Sequence, residues 1–279
     1  MSIKLLNITK IRDQDIIYGV FYCKYKEFKK TKYGDNYINI GLSDSSGHLD
    51  SKVWENSEYY SSKFSEGDIV AVKGTPGLYR DKIELKISHI TKCDPLKYKR
   101  YGFNSSMVIS RIDFNSKILW KEVTSYFKKT GNRLELIKRM YYDYKKSIIL
   151  FPSNIKGCSQ VEGSYINDIS KALKILDILL NRILDKKLID SELMYSLVYF
   201  RKFHLITGYK KDVLYRVKDE ALDRGLNSVF YDIFKRYEKL IDKKLFFSTE
   251  KCIFDADSDD FSREKAMIEE VFSLIDHAN

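Results

Sequence analysis

The residues best suited to binding chemistry in this chain are aromatic rings and cations that recur at every second position in its first third. On two short apolar stretches these positions hold Tyr37, Asn39, Lys52 and Trp54. Successive side chains of a β-strand point to opposite faces, so this spacing predicts one shared face. An aromatic ring can stack on an unpaired base while an ammonium group pairs with a phosphate. The pattern therefore predicts a surface for single-stranded nucleic acid.

Cations and rings are also concentrated around two predicted loops beside that face. The first loop is predicted from Phe28 to Asp35, and the last from Gly77 to Asp81. The additional candidate binding residues at and around these loops are Lys24, Lys26, Lys29, Lys32, Tyr79, Arg80 and Lys82. In the alternative interpretation, Trp54 packs beneath a following helix and the lysines only keep the surface soluble. The joint occurrence of rings and cations in three places favours binding.

The elements that must position these residues are short strands. They are predicted over 16–26, 37–43, 48–54, 68–74 and 82–90, with a short helix over 56–64. Five strands with a helix between the third and the fourth match the OB-fold, a small barrel that binds oligonucleotides on strands two and three and on two loops. We therefore predict a nucleic-acid-binding domain over residues 1–95.

The same stretch carries a pattern of residues that resembles a known family. The pattern comprises Tyr37, Leu42, Asp44, Ser46, Gly47, Leu49, Lys52 and Trp54, followed by Phe64, Gly67, Asp68, Ile69, Val70, Val72 and Gly74. It is similar to the OB domain of the YhaM-type 3′–5′ exoribonucleases and, more loosely, to the tRNA-anticodon OB group. The resemblance implies a multidomain β + α protein, in which a five-stranded OB-fold β-barrel is followed by an all-α HD-like helical domain.

Positive charge is concentrated in the middle of the chain. Residues 96–150 contain 13 Lys or Arg and 4 Asp or Glu, within a chain of formal net charge +10. Helices are predicted over 116–130 and 134–146, so we interpret this segment as a basic linker and helical connector. A localised basic stretch indicates a polyanionic partner, because each neutralised phosphate releases condensed counterions. A solvated basic helix face, or a compositional bias toward lysine, would give the same count.

The last part of the chain, residues 151–279, is predicted to be all-helical, with helices over 162–186, 193–207, 213–224, 228–245 and 263–277. In the YhaM-type enzymes this domain binds divalent metal through histidine and aspartate. The resemblance places Gly157-Cys158-Ser159, Asn167 or Asp168, and Arg201-Lys202 at the corresponding positions. Two cations thus replace a His-Asp doublet, and only His204 and His277 remain in this half. We therefore predict a degenerate HD-like domain with no catalytic residue, no metal site and no cofactor.

Other kinds of catalytic or metal site are not indicated. The sequence contains no GxSxG, P-loop or GxGxxG motif. Its four cysteines are far apart, which indicates neither a zinc site nor a disulfide framework. The acidic stretch Asp255, Asp257, Asp259 and Asp260 could bind Mg²⁺ or Ca²⁺ through carboxylates alone, but it lacks the glycine and terminal glutamate of an EF-hand loop.

The compartment is predicted from the absence of targeting patterns. The N-terminal residues lack the apolar run of a signal peptide, and no stretch approaches 18 uncharged apolar residues. These features predict a cytoplasmic protein without a membrane partner.

Three functional hypotheses follow from the sequence. The first is a non-catalytic binder of single-stranded RNA or DNA built on a YhaM-like exoribonuclease frame. The second is an active metal-dependent 3′–5′ exonuclease with a metal site that the sequence pattern does not reveal. The third is a protein-interaction or assembly module, in which the helical domain binds a protein partner or a second copy of the chain.

Overall fold

A computed structural model of the chain describes residues 4–12, 16–113, 115–157, 160–182, 189–255 and 262–277. It divides into two compact units. The first comprises residues 1–111, 155–160 and 212–214, and the second comprises 112–154, 161–211 and 215–279. The sequence-based division at residues 95 and 150 stays a prediction.

The first unit is built around a closed barrel of five strands. These are β1 (Ile17–Lys30), β2 (Asn36–Asp44), β3 (Gly47–Val53), β4 (Ile69–Tyr79) and β5 (Lys82–Lys92), with helix α1 (Ser57–Ser61) between β3 and β4. The strand order around the barrel is β1-β2-β3-β5-β4. Neighbouring strands are antiparallel except β3 and β5, which meet in parallel at Ser51–Leu85 and Lys52–Lys86. The predicted N-terminal five-stranded barrel is confirmed.

The period-two pattern of the strands accounts for the barrel core. Ile38, Ile40 and Leu42 of β2 are buried. So are Leu49, Ser51 and Val53 of β3, while the alternate residues Asp50 and Lys52 lie on the outer face. Tyr60 of α1 and Phe64 just after it join the same cluster and close one side of it. Burial of these apolar side chains stabilises the barrel and simultaneously holds the alternate side chains outside.

Strand β1 is longer than the sequence pattern predicts. It continues to Lys30, through residues that were expected to form a loop. The register with β2 shifts between Cys23 and Tyr25, so Lys24 is the extra residue of a β-bulge. Glu27 and Lys29 lie two apart on the same face of this strand and form an ion pair, at 2.6 Å. The charged stretch forms a strand because its backbone pairs with β2 from Lys26–Ile40 to Lys30–Asn36.

The remainder of the first unit includes α2 (Pro95–Lys99) and β6 (Ser110–Arg111). The second unit is mainly helical, with one short strand and a small hairpin. Its elements are α3 (Ser116–Ser125), α4 (Leu134–Asp143), α5 (Lys145–Leu150), β7 (Val161–Glu162), α6 (Ser164–Arg182), α7 (Ser191–Phe200), α8 (Phe203–Gly208), β8 (Tyr209–Lys211), β9 (Tyr215–Val217), α9 (Asp219–Arg224), α10 (Leu226–Lys235), α11 (Lys243–Phe254) and α12 (Ser262–His277). The predicted helical region after the barrel is therefore confirmed. The helix predicted over 213–224 is wrong in its first half, which contains β9 of the β8–β9 hairpin.

Buried tyrosines organise the core of the helical unit. The hydroxyl of Tyr141 donates to the carbonyl of Tyr199 (2.9 Å), and that of Tyr199 donates to the carbonyl of Val123 (2.7 Å). These bonds satisfy polar groups that would otherwise be costly to bury. The single helix predicted over 193–207 is two helices, α7 and α8, because Lys202 has left-handed backbone geometry with φ of 58°. No helix in the described parts of the chain is long and apolar enough to span a membrane.

Candidate nucleic-acid interface

Two stacked rings form the centre of the outer face of β2 and β3. Ile38 pairs with Val53 across these strands, which brings the neighbouring residues Tyr37 and Trp54 together. Their ring centroids are 4.6 Å apart, with 24° between the planes. Trp54 is 39% exposed, so the indole is available to solvent instead of packing beneath the helix that follows it. A base could extend this stack on an open ring face.

Lys52 connects the stacked pair to the other end of the face. Its ammonium lies 5.7 Å from the centroid of Trp54 and 4.9 Å from that of Tyr79. It also forms an ion pair with Glu84, at 2.6 Å. The cation–π contacts and the ion pair hold Lys52 between two rings. Because Glu84 accepts from it, most of the charge of Lys52 is balanced within the chain.

Carboxylates also neutralise the other lysines of this face. Lys29 pairs with Glu27 at 2.6 Å, and Glu27 accepts a second hydrogen bond, of 3.0 Å, from the side-chain amide of Asn39. The hydrogen bond from Lys29 is the main reason that the pKa of Glu27 is lowered, and the same contact raises the pKa of Lys29. On β5, Lys86 pairs with Glu55 at 3.2 Å. Sequence reasoning missed these carboxylates, because the first strand was predicted to end at residue 26 and Lys29 was placed in a loop.

Tyr25 provides a further ring on the outer face. The strand pairing places it beside Gly41, where an added Cβ would lie 2.1 Å from the Tyr25 ring. The phenol donates a 2.8 Å hydrogen bond to Asp50. Burial, and then this hydrogen bond to a carboxylate, raise the pKa of Tyr25 to about 12. The phenol therefore remains a protonated donor at neutral pH, and Gly41 provides the room that its ring occupies.

The hairpin between β4 and β5 presents a ring and a cation at the edge of the face. Arg80 and Asp81 have φ of 49° and 62°, and two central residues with positive φ are typical of a type I′ turn. The Arg80 guanidinium lies 5.4 Å from the ring centroid of Tyr79, which is itself half exposed. Tyr79 pairs with Lys82 across the hairpin. The turn thus brings Tyr79, Arg80 and Lys82 together.

The structure places three of the predicted site residues elsewhere. Lys26 pairs with Ile40 across the strands, so it shares the core-facing side of the sheet. Its ammonium donates to the backbone carbonyls of Ser61 (2.5 Å) and Phe64 (2.7 Å) and lies over the Phe64 ring. Lys24 is exposed at the bulge, and Lys32 is exposed in the loop after β1. Lys26 therefore ties the segment after α1 to the barrel instead of joining the outer face.

Replacement of Lys26 by Met is expected to reduce the stability of the barrel and to leave its affinity for single-stranded nucleic acid nearly unchanged. Loss of two charge-assisted hydrogen bonds should lower the free energy of unfolding by about 1–3 kcal/mol. Urea denaturation monitored by circular dichroism measures this change, and fluorescence anisotropy measures the affinity of the folded variant for an oligonucleotide. A variant of unchanged stability that bound tenfold more weakly would instead assign Lys26 to phosphate contact.

The helical unit brings several of the predicted metal positions to one cavity. Arg201 and Lys202 lie between α7 and α8, and His204 lies in α8. All three line a cavity of about 380 Å³. Burial is the first cause, and the two neighbouring cations the second, of the lowered pKa of His204, so the imidazole is neutral at pH 7. Arg201 is held by an ion pair with Glu269 at 2.6 Å.

The remaining predicted metal positions are distributed differently. Asn167 and Asp168 lie on α6, and burial raises the pKa of the Asp168 carboxyl. Gly157 belongs to the first unit. Cys158, Ser159, Asp257, Asp259 and Asp260 lie outside the described residues, as does the side chain of His277. Within the described ranges, no group of three or more His, Cys, Asp or Glu side chains could hold a metal ion.

The barrel topology and its outer face define the class of the first unit. Five strands closed in the order β1-β2-β3-β5-β4, with a helix between β3 and β4, form an OB-fold. Residues 25–92 match the tRNA_anti-codon family model, which describes an OB-fold nucleic acid binding domain. This match covers the strands that carry the stacked rings.

Two curated relatives are similar to part of the chain. The 3′–5′ exoribonuclease YhaM of Listeria welshimeri is 27% identical over 125 residues, and that of Listeria innocua is 24% identical over 125 residues. Each match covers 44% of this chain and 39% of the relative. The chain thus spans well under half the length of the curated relatives it matches. The resemblance to YhaM-type enzymes is confirmed at this level.

Solved structures that resemble the chain do so over about a third of it. A domain of replication protein A from Methanococcus maripaludis has a TM-score of 0.28 at 16% identity, covering 32% of this chain and 94% of that one. The single-stranded DNA-binding protein Rim1 of S. cerevisiae mitochondria has a TM-score of 0.27 at 12% identity, covering 30% and 97%. Similarities this weak support no functional argument.

Proposed function

We propose that this chain is a non-catalytic protein that binds single-stranded RNA or DNA on the outer face of its barrel. The observation that carries the proposal is the stacked pair Tyr37–Trp54, in which Trp54 is exposed to solvent, with Lys52 held between Trp54 and Tyr79. Unpaired bases stack on such rings whatever their identity, so the site should tolerate many sequences. A base inside a duplex has both of its faces covered, which favours single strands.

Stacking, more than charge, should supply affinity at this face. Lys29, Lys52 and Lys86 each have a carboxylate partner, so a strand that neutralised them would have to displace Glu27, Glu84 or Glu55. Each aromatic–base stack contributes about 1–3 kcal/mol. Arg80 and Lys82 at the hairpin, and Lys32 in the loop after β1, are exposed and would contact phosphates at the rim.

The non-catalytic part of the proposal concerns the helical unit, which we propose to be a degenerate HD-like domain. Hydrolysis of a phosphodiester in the YhaM-type frame needs metal held by imidazole and carboxylate. Arg201 and Lys202 occupy the positions of the His-Asp doublet in that alignment. Exoribonuclease activity is named for the Listeria proteins, and we do not propose it for this chain.

We expect the protein to bind unstructured oligonucleotides of about 15–20 residues and to leave them intact. Anisotropy titrations with oligo-U and oligo-dT, each competed with duplex of the same length, measure strand preference. The same RNA and DNA, labelled at the 5′ end and incubated with Mg²⁺ or Mn²⁺, should keep their length on a denaturing gel.

Chelator-sensitive shortening would contradict the non-catalytic assignment and favour an exonuclease. Equal competition by duplex and single strand would contradict the binding mode. If cleavage is observed, an Asp255→Asn variant tests whether the carboxylates of the acidic stretch hold the metal.

A further inference from the structure

A second surface with cations and an exposed ring lies within the helical unit. Residues 112–150 contain nine Lys or Arg and four Asp or Glu. Four of these cations and one exposed tyrosine lie on α3, α4 and α5. We call this surface the helical basic patch and define it as Lys117, Lys121, Tyr142, Lys145 and Lys146.

Packing around Trp120 brings the patch together. The Trp120 ring contacts Tyr142 edge-on, with centroids 5.7 Å apart, and the Lys145 ammonium lies 4.8 Å from the Trp120 centroid. Lys117 and Lys121 are four apart on α3 and flank Trp120 in sequence, so they lie along the same side of that helix. Tyr142 is 52% exposed, whereas Trp120 is buried. The Tyr142 ring is therefore held by its contact with Trp120 and is exposed to solvent on its other side.

Three of the four acidic residues in 112–150 pair elsewhere, and the fourth, Asp113, is exposed just before α3. Glu122 pairs with Lys174 and accepts from Ser170. Asp143 pairs with Arg139 at 3.1 Å, and Glu135 with Lys138 at 3.5 Å. Within the described part of the chain, Lys117, Lys121 and Lys146 make no ion pair and are exposed. This differs from the barrel face, where carboxylates balance the lysines.

We infer that the helical basic patch is a second contact surface for the phosphodiester backbone of single-stranded nucleic acid. The inference rests on the proposed function, because it concerns the same ligand. Free ammonium groups neutralise phosphates and release counterions, while the Tyr142 ring accepts a base. The two surfaces then have different physical characters: the barrel face supplies stacking, and the patch supplies most of the salt-dependent affinity.

The test uses the full chain with Lys117→Gln, Lys121→Gln and Lys146→Gln combined. Each phosphate contact on a single strand contributes about 0.7 to the slope of log affinity against log salt concentration. The triple variant should therefore lose about 2 from that slope and bind oligo-U and oligo-dT at least tenfold more weakly at about 0.1 M salt. Anisotropy titrations at several salt concentrations measure both quantities.

Two matched variants separate a specific effect from a change in net charge or fold. Lys239→Gln, Lys243→Gln and Lys244→Gln remove the same charge from exposed positions elsewhere in the unit, and the slope should stay at the wild-type value. Lys117→Arg, Lys121→Arg and Lys146→Arg retain the charge and should retain the slope. Thermal melts should superimpose for all three sets. Comparison of the affinities for oligo-U and oligo-dT at the same salt concentration shows whether RNA or DNA is preferred.

The outcomes distinguish this inference from the proposed function. An unchanged slope in the patch variant, together with weaker binding by Trp54→Ala, overturns the patch alone. A reduced salt slope in the patch variant, together with unchanged binding by Trp54→Ala, supports the patch and overturns the role of the barrel face in binding. Absence of binding by the wild-type chain overturns both. Displacement of the oligonucleotide by polyglutamate at equal charge concentration overturns the nucleic-acid assignment in favour of an acidic protein partner.

Discussion

Replacement of Trp54 by Ala should weaken binding of a single-stranded oligonucleotide by a factor of about 5 to 150. This range corresponds to the loss of one aromatic–base stack, about 1–3 kcal/mol. Trp54 is half of the stacked pair with Tyr37, so its removal also leaves that ring less fixed. No cation is removed, and the slope of log affinity against log salt should therefore stay unchanged. Anisotropy titration at several salt concentrations measures both effects.

The exposed Phe247 of α11 provides a matched control. It is 65% exposed in the helical unit, and its replacement by Ala should leave affinity unchanged. Trp54→Phe retains a ring and should recover part of the loss. The chain has two tryptophans, and Trp120 is buried, so binding should quench the emission of Trp54 in a Trp120→Phe background. Equal affinities for the wild type and Trp54→Ala would remove the barrel face from the binding site.

Replacement of Gly74 by Ala should lower the free energy of unfolding of the barrel by about 2–3 kcal/mol. A Cβ at this position would lie 2.6 Å from the backbone carbonyl oxygen of Lys86 and 3.0 Å from the Leu85 side chain. A backbone atom cannot move aside without disturbing the pairing of β4 with β5, where the register already shifts between Lys73 and Gly74. Urea unfolding followed by Trp54 emission, in the Trp120→Phe background, reports on this unit.

Gly77 lies three residues further along the same strand and gives the comparison. No atom lies within 4 Å of a Cβ added there, so Gly77→Ala should change stability by at most about 0.5 kcal/mol. Equal stability of Gly74→Ala and Gly77→Ala would contradict the close approach of β5 to Gly74. It would also contradict the barrel closure that positions Tyr79.

Much of the candidate site could be predicted from alternation alone. The spacing of Tyr37, Asn39, Lys52 and Trp54 is sufficient to place them on one face once their strands are recognised. It also predicted the five strands, because each carries its own apolar period. Lys26 was less predictable, since its position opposite Ile40 depends on β1 continuing as a strand beyond it. Local composition favoured a loop there, and pairing with β2 overrode it.

The ion pairing of the site could not be predicted from the sequence, because it depends on distances between residues that are far apart in the chain. Lys52 and Glu84 are 32 positions apart, and no local pattern couples them. The same holds for the cavity that Arg201, Lys202 and His204 line with residues of α10, α11 and α12. The break between α7 and α8 contains neither Gly nor Pro, so propensity predicted one continuous helix.

The sequence by itself determined the class of the first domain, the rings that its outer face presents and the concentration of basic charge in the middle of the chain. These properties depend on periodicity and composition, which are local. Only the tertiary structure decided which lysines remain unpaired, because that depends on carboxylates brought near by strand pairing and helix packing. On the barrel face Lys29, Lys52 and Lys86 each have a carboxylate partner, whereas Lys117, Lys121 and Lys146 of the helical basic patch make no ion pair within the described part of the chain.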